Sequence, residues 1–471
     1  MTRLAAPLPT PRAASRHPSS VEDWAHRALL AASRAGHTLL LSIPAPRVRL
    51  EALLRINGSW PALLWESPGQ REFSGLGVAS EVRPHGAGRF HQVRQAAERI
   101  MADVRSVSFN GAPPIARLVG GFAFQAGDAC QPPWNDFGDG WFVLPRLRYD
   151  LHDFGPRLTL TVPAEQTRSA RHRRVALEQL LAARDALAER QPLAWPAVST
   201  SPVVRPAATT EQSWNERVDA IVSRISAGQF EKVVAARRSV LELEPPPDPL
   251  TVLTRLGEQA SGCIRFAFRR SDTVFVGATP ERLAAQTGCE VRTEALAGTI
   301  RSDGTRAAHR LLHSRKDRAE HDYVLQQLLR QLEPVCQIVQ LGPSPAIHAL
   351  RHLLHLRSPI VARRHQPGHI LQLVELLHPT PAVGGVPTEA AVRWIAEHEP
   401  DPRGWYAGPV GWFDPHGDGE FAVALRSGVI QGPLAHLYAG AGIVRDSDPQ
   451  DEYAETTLKL AALRGALGVG A

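Results

Sequence analysis

The sequence predicts an α+β fold in which antiparallel strands dominate. Of its 471 residues 43% are apolar, enough to bury a large core in one big or two medium domains. Strand-like runs such as "TVFVG", "GPVGWF" and "EFAVALRSG" follow one another through short Gly/Asp/Pro turns, and "GWFDPHGDGEFAVALRSG" reads as a hairpin. No repeat of fixed short period is present, which sets aside solenoids and propellers.

Along the chain, residues 1–20 are rich in arginine and proline and read as a disordered tail, although the lack of acids before Glu22 also fits a transit peptide. Residues 21–190 mix strand-like runs ("HTLLLSI", "ARLVGGFAFQ", "WFVLPRL", "RLTLTV") with two helical stretches. The segment 191–211, rich in Pro, Ser and Thr, has no period and is the expected linker. Residues 212–471 then alternate strand signals with helical ones at 212–228, 316–333, 388–398 and 449–465.

Composition excludes several function classes. No apolar run is long enough to span a bilayer, and no secretory signal opens the chain, so a cytoplasmic protein without a membrane partner is expected. The net charge is +6, but the arginines are scattered and the one tight cluster, "RHRR" at 171–174, lies in a helical stretch. A solvated helix face accounts for it; nucleic acid is not expected, while a small anionic substrate would feel the general field. Cys130, Cys263, Cys289 and Cys336 are too dispersed for zinc and read as reduced core residues.

Two helical segments carry acids at matching spacings. In "AGAGIVRDSDPQDEYAETTLKL" Glu452 and Glu455 share a helix face with Lys459, opposite an apolar stripe through Tyr453, Leu460 and Leu463. "SRKDRAEHDYVLQQLLRQLEP" places Asp317 and Glu320 three apart, ahead of Val324, Leu325, Leu328 and Leu332. Two acidic pairs facing each other need a cation between them, and oxygen-only donors suit a hard ion such as Mg²⁺. Ordinary acids near helix N-termini are the alternative.

Four further stretches carry chemistry. Lys232 precedes the apolar run Val233–Ala236 in "FEKVVAARRS" and either ends a strand at a cleft as a desolvated base or is simply exposed. Glu281 follows the Thr-Pro of "TVFVGATPERLA", as a positioned acid or as an N-terminal helix glutamate. "HPTPAVGGVPTEAAVRW" is a rigid loop leading into a helix capped by Thr388; Gly384 and Gly385 either let a ligand approach closely or make a turn. Tyr406 and Arg426 fall in consecutive strand-like runs, where an arginine needs either an anionic ligand or one of the protein's own acids.

In order, "KVVAAR", "GATPERL", "LAGTIR", "KDRAEH", "LLHLRSPI", "HPTPAVGG", "RGWYAGPVGW", "FAVALRSG" and "AGAGIVRDSDPQDEYAET" resemble the motifs of the chorismate-utilising enzymes, across residues 212–465. "LVGGFAF" adds a weaker similarity in the N-terminal part. The resemblance implies a sandwich of two large antiparallel β-sheets flanked by outer helices, with one active-site cleft. It also implies Mg²⁺ held directly by Glu320 and Glu455, and through waters by Asp317 and Glu452. Relatives often have glutamate at the position of Asp317. Chorismate is the implied substrate. Tyr406 and Arg426 match positions that grip its enolpyruvyl carboxylate; Gly298, Thr299, His355, Gly440, Gly442 and Lys459 match positions lining the substrate or the metal-bound carboxylate.

Within the family, branches that add ammonia typically have glutamine where Lys232 stands. Lysine there implies addition of water at C2, with Lys232 as base and Glu281 as the acid that protonates the departing C4 hydroxyl, giving isochorismate. Salicylate synthases generally have threonine at the position of Ala382, and alanine resembles the isochorismate synthases. A salicylate synthase that goes on to salicylate and pyruvate is the alternative. No glutaminase subunit is expected, and a monomer suffices.

Overall fold

A computed structural model describes residues 20–56, 61–151, 155–189, 201–204, 210–302, 304, 306–342, 345–350 and 353–469. The expected tail lies outside these residues except for Ser20, as does most of the expected linker.

The strands form one continuous hydrogen-bonded succession. From Leu353–Arg364 it passes to Glu290–Arg301, Arg282–Thr287, Gly419–Val423, Pro409–Phe413 and Leu118–Phe122. It continues through Gly140–Leu151, Glu72–Val82, Ala62–Glu66, Ile264–Arg270, Thr273–Thr279, Ser427–Gln431 and Leu434–Ile443 to Lys232–Glu244. Every one of these pairs is antiparallel, and the expected hairpin is present, with Pro409 opposite Val423. Among the described residues the parallel pairing is Thr38–Pro44 with Val104–Ser108. The N-terminal part joins the rest twice, through Leu118–Phe122 and through Ala62–Glu66.

Strand alternation divides the core into layers. On Ile264–Arg270, Phe266 and Phe268 enter a central cluster with Phe275, Trp405 and Phe421, while Ala267 enters a second cluster on the opposite face. Rings interlock in the central layer, where Trp405 lies 5.2 Å from Phe137 and 5.7 Å from Phe268. Helices Val21–Ala35, Ala170–Glu189, Pro249–Gln259 and Pro449–Ala466 cover the second cluster with residues such as Leu29, Leu180, Leu253 and Leu460. Helix Arg315–Leu332 packs Val324, Leu325, Leu328 and Leu332 against the central cluster.

Several local expectations change. The region 21–189 holds five helices among its described residues rather than two, because Glu51–Leu54, Arg89–Ala102 and Ala164–Arg168 are also helical. Thr388 is the first residue of its helix, not the cap: Pro387 occupies that position, and the Thr388 hydroxyl donates to the Gly385 carbonyl. Cys263 and Cys336 are buried, but Cys130 is exposed and Cys289 half-buried, so only two of the four belong to the core. Arg171, His172 and Arg174 of the basic cluster are exposed on their helix.

Candidate active site

A cleft of about 710 Å³, lined by Glu281, Gly298, Thr299, Glu320, His355, Ala382, Tyr406, Arg426, Gly440, Gly442 and Lys459, gathers most of the expected site residues. Lys232, Asp317, Glu452 and Glu455 do not line it: Lys232, Asp317 and Glu455 touch lining residues through Glu320, Thr299 and Lys459, while Glu452 lies behind, against Lys316 and Ser447.

Lys232 begins the strand Lys232–Glu244, and its side chain is 0% exposed, so the exposed-lysine reading fails. The loop after His378 is stitched to this strand by Glu231 N–H to Val386 O and Val234 N–H to Gly384 O. Gly385 has φ +147°, and a Cβ there would lie 2.3 Å from the Lys232 carbonyl. The paired glycines therefore serve backbone contact with the Lys232 strand, and Ala382 and Val383 are carried to the cleft wall. The Lys232 ammonium donates to Glu320 Oε1 at 2.8 Å. Gly442 covers both: a Cβ there would lie 2.6 Å from Glu320 Oε1 and 2.7 Å from Lys232 Cε. Burial pushes the Glu320 carboxyl up, but Lys232, Lys459 and Lys316 outweigh it and hold its pKa below the usual value.

Glu281 is not on a helix. It sits at the joint between strands Thr273–Thr279 and Arg282–Thr287 and is 4% exposed. Its N–H donates to Thr279 Oγ1 and its carbonyl accepts the Val423 N–H. The Thr380 hydroxyl donates to its carboxyl at 3.5 Å. Burial, with Glu294 adding to it, raises the Glu281 pKa to about 8 against the pull of Lys232. At neutral pH it carries its proton and can give it.

The opposite wall is built for an anion. Arg426 and Tyr406 lie at joints rather than inside strands: Arg426, with φ +49°, between Gly419–Val423 and Ser427–Gln431, and Tyr406 in the turn before Pro409–Phe413. Ala407, also in the cleft wall, has φ +60°. Such left-handed non-glycine residues cost about 1–3 kcal/mol each and concentrate at functional sites. Arg426 donates to His355 Nε2 at 3.2 Å, and His355 Nδ1 lies 3.0 Å from Thr299 Oγ1. Burial, then Arg426 and Lys459, push the His355 pKa well down, so the ring is neutral and Nε2 can accept. No carboxylate among the described residues lies within ion-pair distance of Arg426, so the fork has no internal acid as counter-ion. Tyr406 stacks on Tyr438 at 5.4 Å, and burial raises its phenol to about 12.

Three of the four helix carboxylates, Glu320, Glu452 and Glu455, are paired with lysines, and the fourth, Asp317, with a backbone N–H. Glu452 accepts Lys316 at 2.7 Å and the Ser447 hydroxyl at 2.7 Å, and Glu455 pairs with Lys459 at 2.6 Å. Asp317 Oδ1 accepts the Thr299 N–H at 3.2 Å and supports the bend at Gly298, φ +75°. Glu452 is 2% exposed and lies on the buried stripe with Thr456, Leu460 and Leu463, not on the opposite face as the helix pattern suggested. Burial lowers the Lys316 pKa, but Glu452, Glu455 and Glu320 together raise it. One ammonium thus occupies the field that three carboxylates from two helices create. That donor set, all oxygen with a cation already drawn into it, fits a hard metal ion. Among the described residues no three such groups chelate one point as they stand.

Sequence reasoning did not single out Arg403, Tyr438 or Lys316. Arg403, 2% exposed, lines the cleft and ties Glu399 to the Val234 and Val383 carbonyls. Its i,i+4 spacing from Glu399 was the available signal. Lys316 stands beside Asp317 in the same quoted motif.

Residues 28–468 match the model of a family described as chorismate binding enzyme. The chain belongs to that family. The salicylate biosynthesis isochorismate synthase of Pseudomonas aeruginosa is 36% identical over 430 residues, covering 88% of this chain and 87% of the relative. The isochorismate synthase MenF of Bacillus subtilis is 36% identical over 356 residues, 74% of each protein. Among solved structures, the menaquinone-specific isochorismate synthase MenF of Escherichia coli aligns with a TM-score of 0.76 at 26% identity, over 94% of this chain and 99% of that one. The α+β sandwich expected for a chorismate-binding enzyme is the observed fold, and no helix among the described residues is long and apolar enough to cross a membrane.

Proposed function

We infer that this chain is an isochorismate synthase that adds water to chorismate, with Lys232 as general base and Glu281 as general acid. The observation that carries the reading is a cleft with the buried Glu281 carboxyl in its wall, the buried Lys232 behind Glu320, and Arg426 opposite, which meets no carboxylate among the described residues. In this reading Arg426 and Tyr406 take the enolpyruvyl carboxylate, and the neutral His355 fixes the guanidinium. Lys232, as the neutral amine left when its ammonium gives up a proton to solvent, takes a proton from water as the water oxygen bonds to C2, and that proton returns through solvent to Glu281 once the acid has given up its own. The ring double bond shifts as the C4–O bond breaks, and Glu281 protonates the departing hydroxyl. One water enters and one leaves, so the product is an isomer and no redox cofactor is consumed.

Glu320 and Glu455 would hold Mg²⁺ directly, with Asp317 and Glu452 behind them. When bound, the ion supplies charge neutralisation and orientation for the ring carboxylate. Gly298, Thr299, Gly440, Gly442 and Lys459 complete the wall on that side. Ala382, where a threonine would favour the salicylate synthase reading, lines the cleft.

The test is Lys232→Ala with chorismate and Mg²⁺. Turnover is expected to fall about 10²–10⁴-fold, the usual contribution of a positioned base, with the circular-dichroism spectrum unchanged. Rates like those of the parent chain would dismiss the base.

A further inference from the structure

The stretch "TEALAGT" gives Leu296, Ala297, Gly298 and Thr299 to the cleft wall, but its acid, Glu294, is not part of that wall. Glu294 is 6% exposed, a buried carboxylate with no part in the reaction described above. Its Oε1 accepts the backbone N–H of Arg282 at 3.1 Å, the residue immediately after Glu281. Its Oε2 takes Arg357 Nε at 2.6 Å and the same guanidinium again at 2.5 Å. With the bonds from Thr279 and Val423, the Glu281 backbone is tied at three points, and Glu294 makes one of them.

The groups facing Glu281 come from several elements. Lys232 lies on strand Lys232–Glu244, Lys459 on helix Pro449–Ala466, Glu294 on strand Glu290–Arg301, the Tyr406 phenol in the turn before Pro409–Phe413, and the uncharged Thr380 hydroxyl in the adjoining loop. Both lysines draw Glu281 toward ionisation; Glu294 opposes them. Anchoring alone would be served by a neutral amide acceptor. A buried carboxylate has to be sustained by Arg357, and what it adds over an amide is its charge.

We propose that Glu294 is a positioning residue for the general acid: it anchors the peptide after Glu281 and, through a fixed negative charge beside it, keeps the proton on Glu281. The proposal deepens the assignment of Glu281 as the acid and rests on it.

The experiment is an infrared titration of the full chain that follows the protonated-carboxyl band of Glu281, assigned by its absence in Glu281→Gln, alongside the pH profile of turnover. Glu294→Gln keeps the acceptor for the Arg282 N–H and removes the charge. It is expected to lower the Glu281 midpoint by about one pH unit and to bring the alkaline limb of kcat down with it. Arg357→Met, at a side chain 35% exposed, removes the cation that sustains the Glu294 charge, so it should also move the Glu281 midpoint down; it carries the test if Glu294→Gln does not fold. An unmoved or raised midpoint in either variant overturns the proposal. Shifts of the expected sign with full turnover in Glu281→Gln would support the hold of Glu294 on Glu281 while removing the acid role, so the two failures are distinct.

Discussion

The Lys232 ammonium donates to Glu320 across 2.8 Å directly beneath Gly442, whose missing side chain is what leaves room for the pair. A methyl at that position would overlap both partners, and overpacking of this kind costs about 1–3 kcal/mol. Gly442→Ala is therefore expected to cut turnover more than tenfold while lowering the melting temperature only modestly. Unchanged turnover would mean that the lysine and carboxylate do not need this contact.

The Glu281 carboxyl, raised to about 8 by burial and by Glu294, gives activity a pH limit. kcat should fall as pH rises through about 8, because the acid is lost there. Stability follows the same sign: a carboxyl raised above its unfolded value favours the fold fully below that value, and the contribution disappears as pH climbs through about 8. Glu281→Gln should accordingly be inactive yet melt higher than the parent above pH about 8, the difference shrinking toward pH about 5. Melting curves that stay parallel across this range would contradict the buried, protonated acid.

Arg426 donates to the neutral His355 and meets no carboxylate among the described residues. If it receives a substrate carboxylate, Arg426→Gln forfeits a charge-assisted bond of about 1.5–3 kcal/mol. The expected result is a KM about 10- to 100-fold higher, with a smaller change in kcat. An unaltered KM would place the carboxylate elsewhere.

Among the described residues Glu455 pairs with Lys459, at 2.6 Å. As a metal ligand its loss should weaken Mg²⁺ binding measured by calorimetry and raise the Mg²⁺ concentration needed for half-maximal rate. A Glu455→Ala protein with the parent's Mg²⁺ titration would remove it from the ligand set.

What the sequence could show follows from local physics. The strand ending in Gly277 and Thr279, the hairpin at 409–423 and the acidic first turns of two helices are periodic or turn-encoded, and they stand where expected. The apolar neighbours of Arg426 point to a strand; the left-handed break at φ +49° instead stands where its carbonyl accepts the N–H of Ala278, a residue remote in sequence. The burial of Glu452 was hidden by the same limit, since its stripe is decided by Lys316 and Ser447 on other segments. "TPE" suits a positioned acid and a helix glutamate alike, and the strand that follows Glu281 separates the two. The Gly384–Gly385 pair suits ligand approach and turn alike, and the contact of Gly385 with the Lys232 carbonyl decides between them.

The central claim is tested most directly by incubating the purified chain with chorismate and Mg²⁺, separating the products by chromatography and assaying pyruvate in the same reaction. The account predicts isochorismate without pyruvate, formed reversibly and lost in Lys232→Ala. Salicylate with stoichiometric pyruvate, or chorismate returned unchanged, would contradict it.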